Sequence, residues 1–242
     1  MLIVLCSGGH SPGVTTAGLA LTLAWPRTVL FAECDPAGGS VLSGFLVGHQ
    51  QDRGLGEWAV QLRRGASAAD TLAEQVLQLN GPDNHRILPG LANPSQVSSV
   101  QPLWRDIAET FATLPGDVIA DVGRIGGPDT PLPLLTHADH VLLIAQPTLR
   151  DLSALAPRLA AITTARAHRP SPRVLLTGDG PYSRREVAKT LNIEVAGHLP
   201  HDPKAAAVLT HGTGSERHLS RSLLLRATRS LGTKLREQVP AS

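Results

Sequence analysis

The chain has 242 residues, of which 42% are hydrophobic, 17% charged and only 3% aromatic. That balance excludes a disordered chain, and the length is ample for a buried core that must be aliphatic, since Phe, Trp and Tyr are so few. A net charge of +2 does not by itself argue for a nucleic-acid partner, and the basic residues are nearly all Arg, with no lysine before Lys189.

In chain order, residues 2–6 (LIVLC) form a short apolar run, followed by the Gly-rich stretch SGGHSPG. An Ala/Leu-rich helix is expected from Val14 to Ala24, stopped by Pro26. A second apolar run, 28–34 (TVLFAEC), leads into DPAGG. Strand, loop, helix and strand make a βαβ unit whose continuous apolar strands suit a sheet covered on both faces. Residues 51–112 read as helical around a strand at 86–90, and further strands are expected at 117–121, 140–146, 173–178 and 194–200. Helices are expected near 129–137, 149–166 and 183–191, and from Glu216 to Glu237. On that last helix Leu219, Leu223, Ala227, Leu231 and Leu235 would line one face, and Arg217, Arg221, Arg229 and Arg236 the other. No repeat or linker divides the chain, so residues 1–242 read as one α/β domain, a doubly wound and mostly parallel sheet with helices on both faces.

Cys6 and Cys34 are too few for a disulfide framework or a zinc site, and both end apolar runs, where buried free thiols are expected. The segment LIVLC imitates a lipoprotein signal, but no basic residue precedes Arg27 and the run is far too short. No stretch approaches the roughly 20 apolar residues of a transmembrane helix. The expectation is a soluble protein of a reducing cytoplasm.

The chemistry-bearing segment is Gly8-Gly9-His10-Ser11-Pro12-Gly13-Val14-Thr15-Thr16. It has the spacing of a P-loop, G-x-x-x-x-G-K-T, in the required strand-to-helix context, but Val14 stands where the lysine belongs. Glycines let backbone N–H groups turn toward a phosphate, and a helix N-terminus adds positive potential. Thr15 is a Mg²⁺ ligand candidate and Thr16 a phosphate contact. The missing charge is worth on the order of 1.5–3 kcal/mol in a charged hydrogen bond, and more during phosphoryl transfer. Arg124 and Arg150 are the cations that could replace it, though a solvated surface position is the plainer reading of both. Asp35, after the second strand, and Asp121, at the expected end of the strand at 117–121, are acidic groups placed to reach a metal-bound nucleotide.

These ordered segments resemble the ParA/MinD family of deviant-P-loop ATPases over most of the chain. SGGHSPGVTTAGLALTLA is similar to the family's Walker A segment and TVLFAECDPAGGSV to its switch I. DVIADVGR resembles its switch II, and VLLTGDG with IEVAGHLPHDP its base-binding region. The resemblance implies ATP or ADP with Mg²⁺ as ligands, Thr15 and Asp121 as the metal residues, and Asp35 as the residue orienting the attacking water. It also implies a homodimer that closes around ATP and works with a partner protein to position chromosomes, plasmids or cell apparatus, with DNA contact open to the Arg-rich surface. Both Walker A lysines of the family are absent, Glu33 replaces a common switch I Asp, and Thr177-Gly178 stand where an Asn often reads adenine. The expectation is therefore a degenerate member with weak or absent hydrolysis and a dimeric scaffold role. The alternatives are an active ATPase using Arg, or a non-nucleotide interaction module of a pilus, secretion or conjugation apparatus.

Other constellations carry less. The pairs His137/His140 and His198/His201 lack a Cys partner or an HExxH helix and read as exposed or turn histidines. His10 differs in lying within the loop. No nucleophile elbow surrounds Ser7, Ser11 or Ser40, and the G-x-G-x-x-G spacing of a dinucleotide fold is missing.

Overall fold

Alternate residues of the first strand feed two different cores. In β1 (Leu2–Ser7), Leu2, Val4 and Cys6 join one cluster, while Ile3 and Leu5 join the other, on the opposite face of the sheet. A strand buried on both faces must be apolar at every position, which is why these strands read as unbroken runs. The computed structural model describes residues 1–10, 12–49, 52–79 and 84–238.

The remaining strands are β2 (Val29–Glu33), β3 (Leu77–Gln78), β4 (His85–Leu88), β5 (Asp117–Arg124), β6 (His140–Ala145), β7 (Arg173–Thr177) and β8 (Val195–Leu199). They form one sheet of order β3-β4-β2-β5-β1-β6-β7-β8, parallel except for the short edge strand β3. The chain leaves β1 for β2 on one side and later takes up β6 on the other, so the crevice at the carboxyl end of β1 is a topological switch point.

The helices are α1 (Val14–Leu23), α2 (Leu55–Arg63), α3 (Ala68–Gln75), α4 (Val97–Val100), α5 (Trp104–Thr113), α6 (Leu132–His137), α7 (Leu149–Ala165), α8 (Arg184–Leu191), α9 (Pro203–His211), α10 (Glu216–Ser220) and α11 (Leu223–Glu237). Helix α1 is almost wholly buried between the sheet, α9 and α11, which accounts for its lack of a polar face. On the other face Trp58 of α2 stacks on Phe111 of α5 with ring centroids 5.8 Å apart. At the opposite end of the sheet from the glycine-rich loop, Asp117 accepts from the Trp25 indole at 2.8 Å and from the Arg27 guanidinium.

Four expectations are corrected. The C-terminal helix is two helices: Ser222 is buried and its Oγ accepts from Leu225 N at 3.1 Å, so a fresh N-cap interrupts the run. The break also rotates the apolar face, burying Leu224, Leu225, Thr228, Leu231 and Leu235 while Leu223 is 54% exposed. His140 is buried rather than exposed, its Nε2 on Leu235 O at 2.9 Å and its Nδ1 on the Arg173 guanidinium at 2.9 Å. Finally, β5 does not stop at Asp121 but continues to Arg124, because β1 offers backbone partners that far. Both cysteines are free and buried, as expected, and burial holds both thiols well above their ordinary range. Among the described residues no helix is long and apolar enough to cross a membrane.

Candidate functional site

The loop after β1 turns on two features. His10 takes a left-handed backbone (φ 63), and Gly13 does likewise (φ 92), where a Cβ would be strained. Gly8 meets a close approach instead: a Cβ there would lie 2.8 Å from Leu155 Cα, so the loop rests on the backbone of α7. Gly13 caps α1 without any side-chain hydrogen bond, and the first turn of α1 carries no acidic residue. Its N-terminal amides therefore keep the capacity to bind an anion.

A cleft of about 1190 Å³ opens at this helix end, lined by the loop at His10 and Gly13 to Thr16, by Asp35 and by the turn from Gly123 to Gly127. Thr15 Oγ1 donates to Asp121 Oδ2 at 2.6 Å, and Gly123 N donates to Asp121 Oδ1 at 2.9 Å. Burial pushes the Asp121 carboxyl up to about 7, against these two bonds, with Asp35 and Glu33 adding repulsion. Asp35 is half-buried and takes the amide of Ala37 at 2.8 Å. Burial raises its pKa also, while the Ala37 bond and the charge of Arg124 pull the other way. Gly123 is left-handed (φ 63) and presses on this carboxylate, for a Cβ there would fall 1.9 Å from Asp35 Oδ2.

Of the residues expected at the site, His10, Gly13, Val14, Thr15, Thr16, Asp35 and Asp121 come together around or beneath the cleft. Gly8, Gly9 and Pro12 are buried and shape the loop from below. Ser11 lies outside the described residues. Val14 is only 7% exposed and packs in the core, so position 14 carries no charge to the cleft. Arg124 lines the cleft; Arg150 is exposed on α7 and does not.

The sequence reading missed Arg158, and it named Glu33 and Thr177 without the contacts they make. Arg158 also lines the cleft, but its Nε donates to Ile125 O at 2.8 Å and its Nη1 to Ala154 O at 2.6 Å, bracing the turn after β5 against α7. Buried Glu33 accepts from Ser40 N (2.7 Å), Val41 N (3.0 Å) and Gly90 N (3.1 Å), which makes it the anchor of the loop carrying Asp35. Thr177 turns back to donate to Pro12 O at 2.8 Å, tying the loop to β7. The P-loop pattern was local enough to be found by spacing, whereas the bonds of Arg158 to Ile125, Glu33 to Gly90 and Thr177 to Pro12 join residues 33, 57 and 165 apart.

A smaller cleft of about 230 Å³ adjoins the other side of the loop, between Gly13, Thr16, Gln146, Gly178, Pro200 and Asp202. His198 Nε2 contacts Gly178 O at 2.6 Å on its rim. The donor set suits a phosphorylated ligand with Mg²⁺: Thr15 and Asp121 supply hard oxygens, and the helix end supplies amides. Among the described residues no cluster of three or more His, Cys, Asp or Glu side chains could cage a metal alone. A magnesium ion here would need phosphate oxygens and water as its other ligands.

No protein-family model matches the chain, and no curated protein matches it. Solved structures do. The cell division ATPase MinD of Pyrococcus furiosus is 18% identical, with a TM-score of 0.79 over 98% of this chain and 99% of that one. The ParA family ATPase of Chlorobium tepidum TLS is 15% identical, with a TM-score of 0.78 over 96% and 98%. The septum site-determining protein MinD of Pyrococcus horikoshii OT3, complexed with Mg-ADP, is 16% identical, with a TM-score of 0.76 over 97% and 95%. The chain has the fold of the ParA and MinD ATPases.

Proposed function

We propose that this chain is a ParA/MinD-like positioning or partitioning protein whose nucleotide site is degenerate: it binds ATP or ADP with Mg²⁺ weakly, hydrolyses ATP slowly or not at all, and acts chiefly as a dimeric scaffold for a partner protein. The observation that carries this reading is the pairing of an intact Thr15–Asp121 contact at the mouth of the loop with a buried valine at position 14. The first preserves a metal-and-phosphate pole; the second removes the charge that phosphoryl transfer relies on. The likeness to ATPases, one of them complexed with Mg-ADP, supports a nucleotide as the ligand class.

In this reading the α1 amides and the Gly13 turn hold the phosphates, Thr15 and Asp121 serve Mg²⁺, and Asp35 orients a water. Thr16 and Pro12 border the smaller cleft, which suits the base. When bound, Mg²⁺ supplies charge neutralisation at the phosphates. Exposed Arg217, Arg221 and Arg229 on α10 and α11 and the segment joining them offer a surface for DNA or an acidic partner.

Calorimetric titration with ATP and ADP in Mg²⁺ tests the reading, with Asp121→Ala as control and phosphate release and oligomeric state measured alongside. Weak binding that the substitution abolishes, slow phosphate release and a dimer support it. No heat up to millimolar nucleotide from folded protein overturns it in favour of a non-nucleotide interaction module. Rapid turnover overturns the degenerate part alone.

A further inference from the structure

Resting on the nucleotide reading above, we propose that Arg124 is the phosphate-binding cation of the cleft, supplying from the end of β5 the charge that position 14 lacks. Its backbone is fixed where such a group is useful. The pairing of β1 with β5 shifts between Leu5 and Ser7, so that Ser7 lies opposite Arg124, and Ile125 N then donates to Ser7 O at 3.0 Å. Ser7 is the residue from which the phosphate loop departs. Left-handed Gly123 precedes Arg124 within β5, where the register shifts.

The side chain follows. Arg124 Cδ lies 4.0 Å from where a Cβ on Gly9 would stand, so its stem runs beside the loop, and the residue is exposed in the large cleft. Among the described residues its guanidinium makes no hydrogen bond and no close ion pair, although its charge acts on Asp35. Arg158, by contrast, is committed to two carbonyls, and Arg150 lies off the cleft. Arg124 is thus the cation lining the cleft with its whole donor fork available. A guanidinium presents five N–H groups in a planar fork that matches two phosphate oxygens, an arrangement a single ammonium does not offer. The ligand class is a nucleoside di- or triphosphate, with the Arg124 contribution growing with phosphate charge.

The test is titration of wild type, Arg124→Gln, Arg124→Lys and Arg150→Gln with MgATP and MgADP, beside thermal melts. The expected result is about a tenfold or greater loss of MgATP affinity in Arg124→Gln. Arg124→Lys should recover only part of it, because the charge returns without the fork, Arg150→Gln should match wild type, and all melts should coincide. Wild-type affinity in Arg124→Gln overturns the proposal and leaves the nucleotide reading standing. Equal weakening by Arg150→Gln also overturns it, since the effect then belongs to the charge of the face. Absence of nucleotide binding in the wild type overturns the underlying reading and this proposal together.

Discussion

Thr15 and Asp121 meet at 2.6 Å, hydroxyl to carboxylate, from the first turn of α1 to the middle of β5. Thr15 lines the cleft, and the bond joins it to a buried carboxyl whose neighbours Glu33 and Asp35 are acidic as well.

That carboxyl makes stability depend on pH. Its folded pKa of about 7 lies above the ordinary 3.8, so its stabilising contribution is complete below about 3.8 and is lost as pH rises through 7. Asp121→Asn removes the titration. In EDTA and without nucleotide, the variant should be more stable than wild type at pH 8, by on the order of 1–3 kcal/mol, and gain little at pH 5. Urea melts at the two pH values check this; no gain at pH 8 would mean the carboxylate is well solvated.

Val14→Lys returns a lysine to the first turn of α1. The position borders the cleft although the valine itself is buried, so the longer side chain has an exit for its ammonium. MgATP affinity should rise about tenfold, while folding stability falls by about 1 kcal/mol from the lost apolar contact. Calorimetry and a melt measure both; unchanged affinity would count against phosphates in this cleft.

Gly123→Ala places a methyl on Asp35. The left-handed backbone alone costs an L-residue about 1 kcal/mol, and the Cβ at 1.9 Å from Oδ2 must displace the carboxylate. A loss of about 2–3 kcal/mol is expected. Gly127→Ala, with open space around its Cβ, is the matched control and should stay near wild type. Equal melts for the two variants would refute the contact.

Glu33→Ala leaves three backbone amides, those of Ser40, Val41 and Gly90, without their carboxylate. The expected cost is about 2–4 kcal/mol, with faster hydrogen exchange at these amides in particular. Exchange that quickens uniformly through the chain would show a general loss of packing, not a lost anchor.

How far the sequence led differs by element. The strands from β1 to β8, apart from the two-residue β3, were legible to within a residue or two except at the end of β5, because apolar runs bounded by glycine and polar turns leave few alternatives. The positions of the loop and of Asp35 were legible for the same reason, since they follow where apolar runs end, whereas Asp121 lies inside β5. The break at Ser222 was written in a local signal, a serine three residues before Leu225, and was overridden by the longer leucine period. The burial of His140 had no local signal, since its partners Arg173 and Leu235 lie 33 and 95 residues away.

Composition and periodicity thus determined that this chain builds a parallel α/β sheet with a lysine-free glycine-rich loop at its carboxyl edge, because spacing along the chain decides which side chains share a face. Only the tertiary structure decided what surrounds that loop. Glu33 joined its own loop to Gly90, 57 residues away, Thr177 became a tie to backbone 165 residues away, and Arg124 became a cation lining the cleft through a strand partner more than a hundred residues away. Those pairings follow from strand register and from how helices seat on the sheet, and such packing has no period that a local reading detects.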